Sequence, residues 1–107
     1  MESQECNQCP ITNAMKILGG KWKMPILQRL MGGYLRFSEL LNNIPFISSK
    51  VLSGQLKEMQ KDGLVERVQH NEVPLRVEYS LTKDAIQLKK ILEDLSSWEK
   101  KMRSKGS

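Results

Sequence analysis

The chain has only two cysteines, one histidine and six aromatic residues, and it has no long apolar run. Each scarcity excludes something. Without about 20 consecutive apolar residues, no helix of this sequence is expected to span a bilayer. The opening Met1-Glu-Ser-Gln-Glu is acidic, with no apolar stretch behind it, so no secretory signal is expected. Two cysteines without an export signal point to a reducing compartment, the cytoplasm of a bacterium or archaeon, where a structural disulfide is not the default. One histidine, His70, removes most acid–base and nucleophilic designs. There is no glycine-rich phosphate loop and no carboxylate pair set for catalysis, so neither an enzyme nor a cofactor is expected. Repeats and low-complexity segments are absent too.

What remains is one ordinary domain over residues 1–107, 39% hydrophobic and 27% charged. Lys and Arg number 17 against 12 Asp and Glu, a net charge of +5 that inclines a small domain toward nucleic acid or an anionic surface. The excess is concentrated. Between Lys16 and Lys61 stand eight basic residues and two acidic ones, a net of +6.

Punctuation divides the chain clearly. Residues 1–8 and 103–107 have the composition of flexible tails. Pro10 suits a first helical position, Ile11, Met15 and Leu18 recur at helical spacing, and Gly19-Gly20 stops the run. A second helix is expected over 23–31, tolerating Pro25 in its first turn and burying Ile26, Leu27 and Leu30. After a short extended piece at 35–37, Ser38 is expected to cap a helix that breaks at Asn42-Asn43 and Pro45. A fourth helix opens at Ser48 or Ser49 and runs to Asp62, where Gly63 supplies a left-handed stop.

The period then changes from 3.6 to 2. Strands are expected over 65–70 and 76–81 around a turn at 71–74, with Val77, Tyr79 and Leu81 alternating with Arg76, Glu78 and Ser80. Thr82 caps a last helix reaching Met102, so that 83–102 forms the final element. This order spells a mainly α winged helix-turn-helix, with the β-hairpin as its wing.

Within that frame the helix over 48–62 is the reading head. Leu52, Leu56 and Met59 share one side, while Lys50, Ser53, Gly54, Lys57 and Lys61 share the other. Base-reading side chains come from the exposed N-terminal part of such a helix, which favours Ser49, Lys50, Ser53 and Lys57, with Ser48 as a further DNA contact beside them. A helix-interior glycine costs about 1 kcal/mol against alanine, and close backbone approach to DNA explains Gly54. The plain alternative is a solvated lysine face with a tolerated glycine. Arg36 adds charge nearby, and His70, Asn71 and Arg76 flank the wing turn, where phosphate or minor-groove contacts are expected. For His70 a solvated strand position is the stronger reading.

The last helix carries Leu88, Ile91, Leu92, Leu95, Trp98 and Met102 at spacings of three and four. A stripe ending in an indole and a thioether suits a second copy of the chain; packing on its own first helix is the other solution. Cys6 and Cys9 form Cys-x-x-Cys before a helix, whose unpaired amides favour a thiolate at Cys9. Such a thiolate reacts with peroxide, hypochlorite, quinones or disulfides. Otherwise Cys9 is a small buried apolar residue and Cys6 an accident of the tail. Two cysteines and a distant histidine do not complete four ligands, so no metal is expected.

Cys9-Pro10, Gly20-Lys21-Trp22, Arg36-Phe37-Ser38-Glu39-Leu40, Ile47-Ser48-Ser49-Lys50-Val51-Leu52, Gly63-Leu64-Val65-Glu66-Arg67, Pro74-Leu75-Arg76-Val77-Glu78-Tyr79-Ser80-Leu81-Thr82 and Trp98 occur in this order. The set resembles the HxlR family of transcriptional regulators, relatives of the MarR group, from Cys9 to about Trp98. The resemblance implies a homodimeric winged-helix regulator, with dimerisation helices at both ends, on a pseudo-palindromic site in double-stranded DNA. It also implies that Cys9 holds the position where some members carry a redox-reactive cysteine, Cys6 being an addition. Ala85 stands where the family usually has glycine, and predicts a longer, unbroken last helix. Three other readings stand beside it: a regulator answering a small molecule with structural cysteines, a winged helix that binds only protein, and a thiol redox protein using Cys6 and Cys9.

Overall fold

A computed structural model describes residues 9–106, and the expectations for residues 1–8, Cys6 among them, lie outside the described residues. In chain order the elements are α1 (Pro10–Leu18), α2 (Lys23–Leu30), β1 (Leu35–Arg36), α3 (Phe37–Asn43), α4 (Ser49–Lys61), β2 (Val65–His70), β3 (Arg76–Leu81), α5 (Lys83–Ile86) and α6 (Leu88–Gly106). The winged helix-turn-helix is present: α3 and α4 with their connection, followed by the β2–β3 hairpin.

Local chemistry fixes most boundaries. Ser48 Oγ accepts the Val51 N–H at 3.1 Å and so caps α4. At the other end, Gly63 takes φ +80°, the Gly63 N–H donates to Gln60 O, and the Leu64 N–H reaches back to Met59 O. That is a Schellman stop, which needs the left-handed residue that glycine supplies. Thr82 Oγ1 accepts the Ala85 N–H at 3.1 Å and donates to Gly63 O at 2.7 Å, so one hydroxyl caps α5 and ties it to the end of α4.

The strands pair antiparallel in the order β1-β3-β2, with Leu35 opposite Tyr79, Arg36 opposite Glu78, and the hairpin in register from Val65–Leu81 to His70–Arg76. Ile26, Leu27 and Leu30 of α2, Leu40 of α3 and Leu52, Leu56 and Met59 of α4 form the core, closed by Ile44, Ile47, Leu64, Val65, Leu81 and Ala85.

Four expectations are corrected. Ser38 is not a cap: pairing of β1 with β3 carries extended backbone to Arg36, α3 starts at Phe37, and Glu39 Oε1 accepts the Arg36 N–H at 2.8 Å. The last helix is not unbroken, because it turns at Gln87, whose N–H bonds to Asp84 O three residues back. Nor does it end at Met102. It continues through Gly106, and Arg103 pairs with Glu99 one turn earlier at 3.1 Å, so 103–106 are helix and not a loose tail. Glu78, finally, is buried although its register puts it with the polar set, because its carboxylate is held between His70 and Arg76.

Neither α1 nor α6 contributes a buried residue. The radius of gyration is 16.3 Å, with extents of 55 × 38 × 26 Å. A compact chain of this length has about 13 Å. The 19 residues of α6 alone reach about 28 Å.

Candidate nucleic-acid interface

Burial of Leu52, Leu56 and Met59 fixes the rotation of α4 and leaves its other side free. Ser48, Ser49, Lys50, Gly54, Lys57 and Lys61 are exposed and Ser53 is half-buried. A Cβ built on Gly54 would meet nothing within 4 Å, so among the described residues no contact accounts for the glycine. Among the described residues none forms an ion pair with Lys50, Lys57 or Lys61. Arg36 is exposed at the start of α3.

Two other basic residues of this half are committed elsewhere. Lys23 is only 6% exposed and its ammonium pairs with Glu58, with Asp62 3.9 Å away. Arg29 donates to Asn43 O at 3.0 Å and fastens α2 to the end of α3. The charge excess read from the sequence therefore overstates what faces outward. Tertiary adjacency between the start of α2 and the C-terminal end of α4 leaves no local signal for Lys23.

The wing is arranged differently from expectation. His70 Nε2 lies 2.8 Å from Glu78 Oε1, Arg76 Nη1 lies 3.5 Å from Glu78 Oε2, and Arg76 Nη2 pairs with Glu72 at 3.0 Å. The structure thus gathers His70 and Arg76 into one network inside the hairpin, while Asn71 stays exposed at the turn. The wing tip is apolar: Val73 and Leu75, not singled out from the sequence, are exposed there.

Cys9 is the N-cap residue of α1 and is partly exposed as a free thiol. Its neutral side chain makes no capping hydrogen bond. The Thr12 amide first, then the Thr12 hydroxyl and the Ile11 amide, hold its pKa below the ordinary thiol value against a small opposing effect of burial. Thr12 escaped the sequence reading, although its place in the first turn after Pro10 was legible.

On α6, Ile91, Leu95, Trp98 and Met102 are exposed and Leu88 and Leu92 half-buried; on α1, Ile11, Met15 and Ile17 are exposed. Among the described residues no group of three or more His, Cys, Asp or Glu is placed to hold a metal, and no helix is long and apolar enough to cross a membrane.

The HxlR-like helix-turn-helix profile matches residues 17–107. The chain belongs to that family. An uncharacterized HTH-type transcriptional regulator of Halalkalibacterium halodurans is 47% identical over 90 residues, 83% of this chain and 80% of that protein. A MarR-family regulator structure from Enterococcus faecalis V583 superposes with a TM-score of 0.88 at 38% identity, over 92% of this chain and 90% of that one. The redox regulator HypR in its reduced form gives a TM-score of 0.80 at 34% identity, over 89% and 94%. The reduced transcriptional regulator YodB of B. subtilis gives 0.78 at 36%, over 84% and 89%, and is also known diamide-treated and quinone-bound. This HxlR-type chain is a transcriptional regulator of the helix-turn-helix class and not an enzyme.

Proposed function

We propose that this HxlR-type chain acts as a homodimer that reads a pseudo-palindromic operator with α4, and that thiol chemistry at Cys9 sets its affinity. The observation that carries the DNA reading is α4 itself, an apolar stripe seated in the core with a serine- and lysine-bearing face left open. Lys57 and Lys61 supply phosphate attraction; Ser49, Lys50 and Ser53 reach base edges near the N-terminal end. The wing contributes its exposed turn, including Asn71, while His70 and Arg76 stiffen the hairpin through Glu78.

Control by oxidation follows from the stabilised thiolate, and from likeness to a protein described as a redox regulator. The Cys9 thiolate attacks peroxide, forming an S–O bond as the O–O bond breaks and hydroxide leaves. The resulting sulfenic acid condenses with a second thiol, from Cys6 or another copy, releasing water and forming a disulfide. Linkage at the start of α1 alters the angle between the two reading heads. Operator half-sites lie about 34–36 Å apart, so a small change of angle prevents both heads from docking.

The test is selection and sequencing of bound genomic fragments, followed by titration with oxidant. Reduced protein should bind tightly, diamide or hypochlorite should change binding reversibly with dithiothreitol, and Cys9→Ser should abolish the response. Cys6→Ser should change only the product formed. An oxidant response that survives in Cys9→Ser would remove Cys9 from the mechanism. A small-molecule signal is a second reading, favoured by an open cleft of about 340 Å³ lined by Gln28, Met31, Lys89, Leu92, Glu93 and Ser96. Wild-type DNA binding indifferent to every oxidant would favour it.

A further inference from the structure

Phe46 combines two properties that rarely coincide. Its side chain is 99% exposed, and its backbone sits at φ +67°, the one non-glycine residue with positive φ among the described residues. In that region the Cβ of an L-residue crowds the following carbonyl, which is why glycine or asparagine usually fills it. A bulky residue there is strained and persists only where its surroundings hold it. Here the ring packs on nothing.

The turn explains how the conformation persists. Ile44 and Ile47 on either side are both anchored in the core, so the chain between them has little freedom to relax. The ring is thereby presented outward from a fixed support. It stands two residues before Ser48, the cap of α4, and so at the same end of that helix as Ser49 and Lys50.

We propose that Phe46 contacts DNA directly, packing its ring against a thymine C5-methyl group in the major groove beside the reading helix. The inference rests on the reading of α4 as the DNA-facing helix, and adds an aromatic determinant beside Ser49, Lys50 and the exposed Val51. A phenyl ring has no donor for phosphate oxygens, and the thymine methyl is the apolar feature of the major-groove base edges. Strain held at an exposed position without any gain inside the chain is the pattern of a site shaped for a partner.

Deoxyuridine isolates the contact, because it removes that methyl and leaves every hydrogen-bonding group in place. A selected operator is made with the thymines of each half-site replaced one position at a time. Wild-type protein should lose about 3–10-fold in affinity at one position per half-site. Phe46→Gly should bind the all-thymine operator with a similar loss and be indifferent to the replacement at that position. Its salt dependence should match wild type, since no phosphate contact changes. Phe46→Asn, which also accepts the left-handed backbone, should behave alike. Both variants should melt at or above the wild-type temperature, so unfolding cannot account for weaker binding.

Phe46→Gly protein with wild-type affinity, or with the wild-type response to deoxyuridine, overturns the proposal, and a partner protein then becomes the occupant of the ring. Lys50→Ala separates the two levels. If it weakens operator binding while Phe46→Gly does not, only the role of Phe46 falls. If wild-type protein selects no DNA at all, the reading of α4 falls and takes this proposal with it.

Discussion

A buried ammonium is tolerated only where its charge is answered, and Lys23 is answered by Glu58 and Asp62 from the far half of α4. Its role is to join α2 to α4. Lys23→Met keeps the aliphatic stem and removes the charge, so stability should change by no more than about 1 kcal/mol and operator affinity should hold. Glu58→Ala leaves the ammonium with Asp62 alone and should cost more, about 1–3 kcal/mol, as thermal or denaturant melts would report. The reverse order of stabilities would show that the pair is not what holds Lys23. Cys9 gives a second prediction. Its pKa lies below the ordinary thiol value, so the thiolate persists to lower pH, and the midpoint of alkylation by iodoacetamide should lie below that of a free cysteine. The Thr12 amide is the leading cause, so Thr12→Val, which removes only the hydroxyl, should raise that midpoint part of the way. Neither Lys23, Glu78 nor Phe46 was legible in the sequence. The environment of each is made by tertiary packing: a helix more than 30 residues away, a cross-strand neighbour, or a turn pinned at both ends.

The elements themselves were far more legible, because their signals are local. The serine before α4, the glycine after it and the threonine before α5 each do in the structure what their spacing announced. Legibility failed where a cap was supplied by pairing, as at Arg36, or where a helix turned without glycine or proline, as at Gln87. On α4 the exposed face separates two kinds of contact. Lys50→Ala or Ser53→Ala should relax sequence preference at one base position, costing about 1–3 kcal/mol on the selected operator. Lys61→Ala should weaken binding to all sequences and flatten the salt slope. Gly54→Ala gives a sharper contrast, since no atom of the described residues lies in the way of the added methyl. It should stabilise the fold by about 0.5–1 kcal/mol through helix propensity while reducing DNA affinity where the backbone approaches the duplex. A stabilised variant with unchanged affinity would return Gly54 to a tolerated residue of a solvated face.

At the scale of the molecule, the chain has a core between α2, α3, α4 and the sheet, and two helices that lie largely outside it. Ile11 is 71% exposed on α1, and Trp98 is 59% exposed on α6. Apolar surface of this kind on a projecting helix is what a second copy would cover, and it would place two α4 helices in one particle. The core contribution of α6 is confined to its start, where Leu88 packs against the core, so the two parts of the stripe can be separated by mutation. Leu88→Asp should harm the protomer itself. Leu95→Asp should not, because Leu95 is exposed in the single chain, whereas on the proposed seam it would bury an unpaired carboxylate and cost several kcal/mol. Sedimentation should therefore find Leu95→Asp as monomers with wild-type helicity. Operator affinity should fall by about 10²–10⁴-fold, because a monomer loses the effective concentration that delivers the second head to its half-site. A single half-site should be bound no worse than by wild type. A Leu95→Asp chain that remained dimeric and held the full operator would place the interface away from α6, leaving its apolar stripe to be explained by another partner.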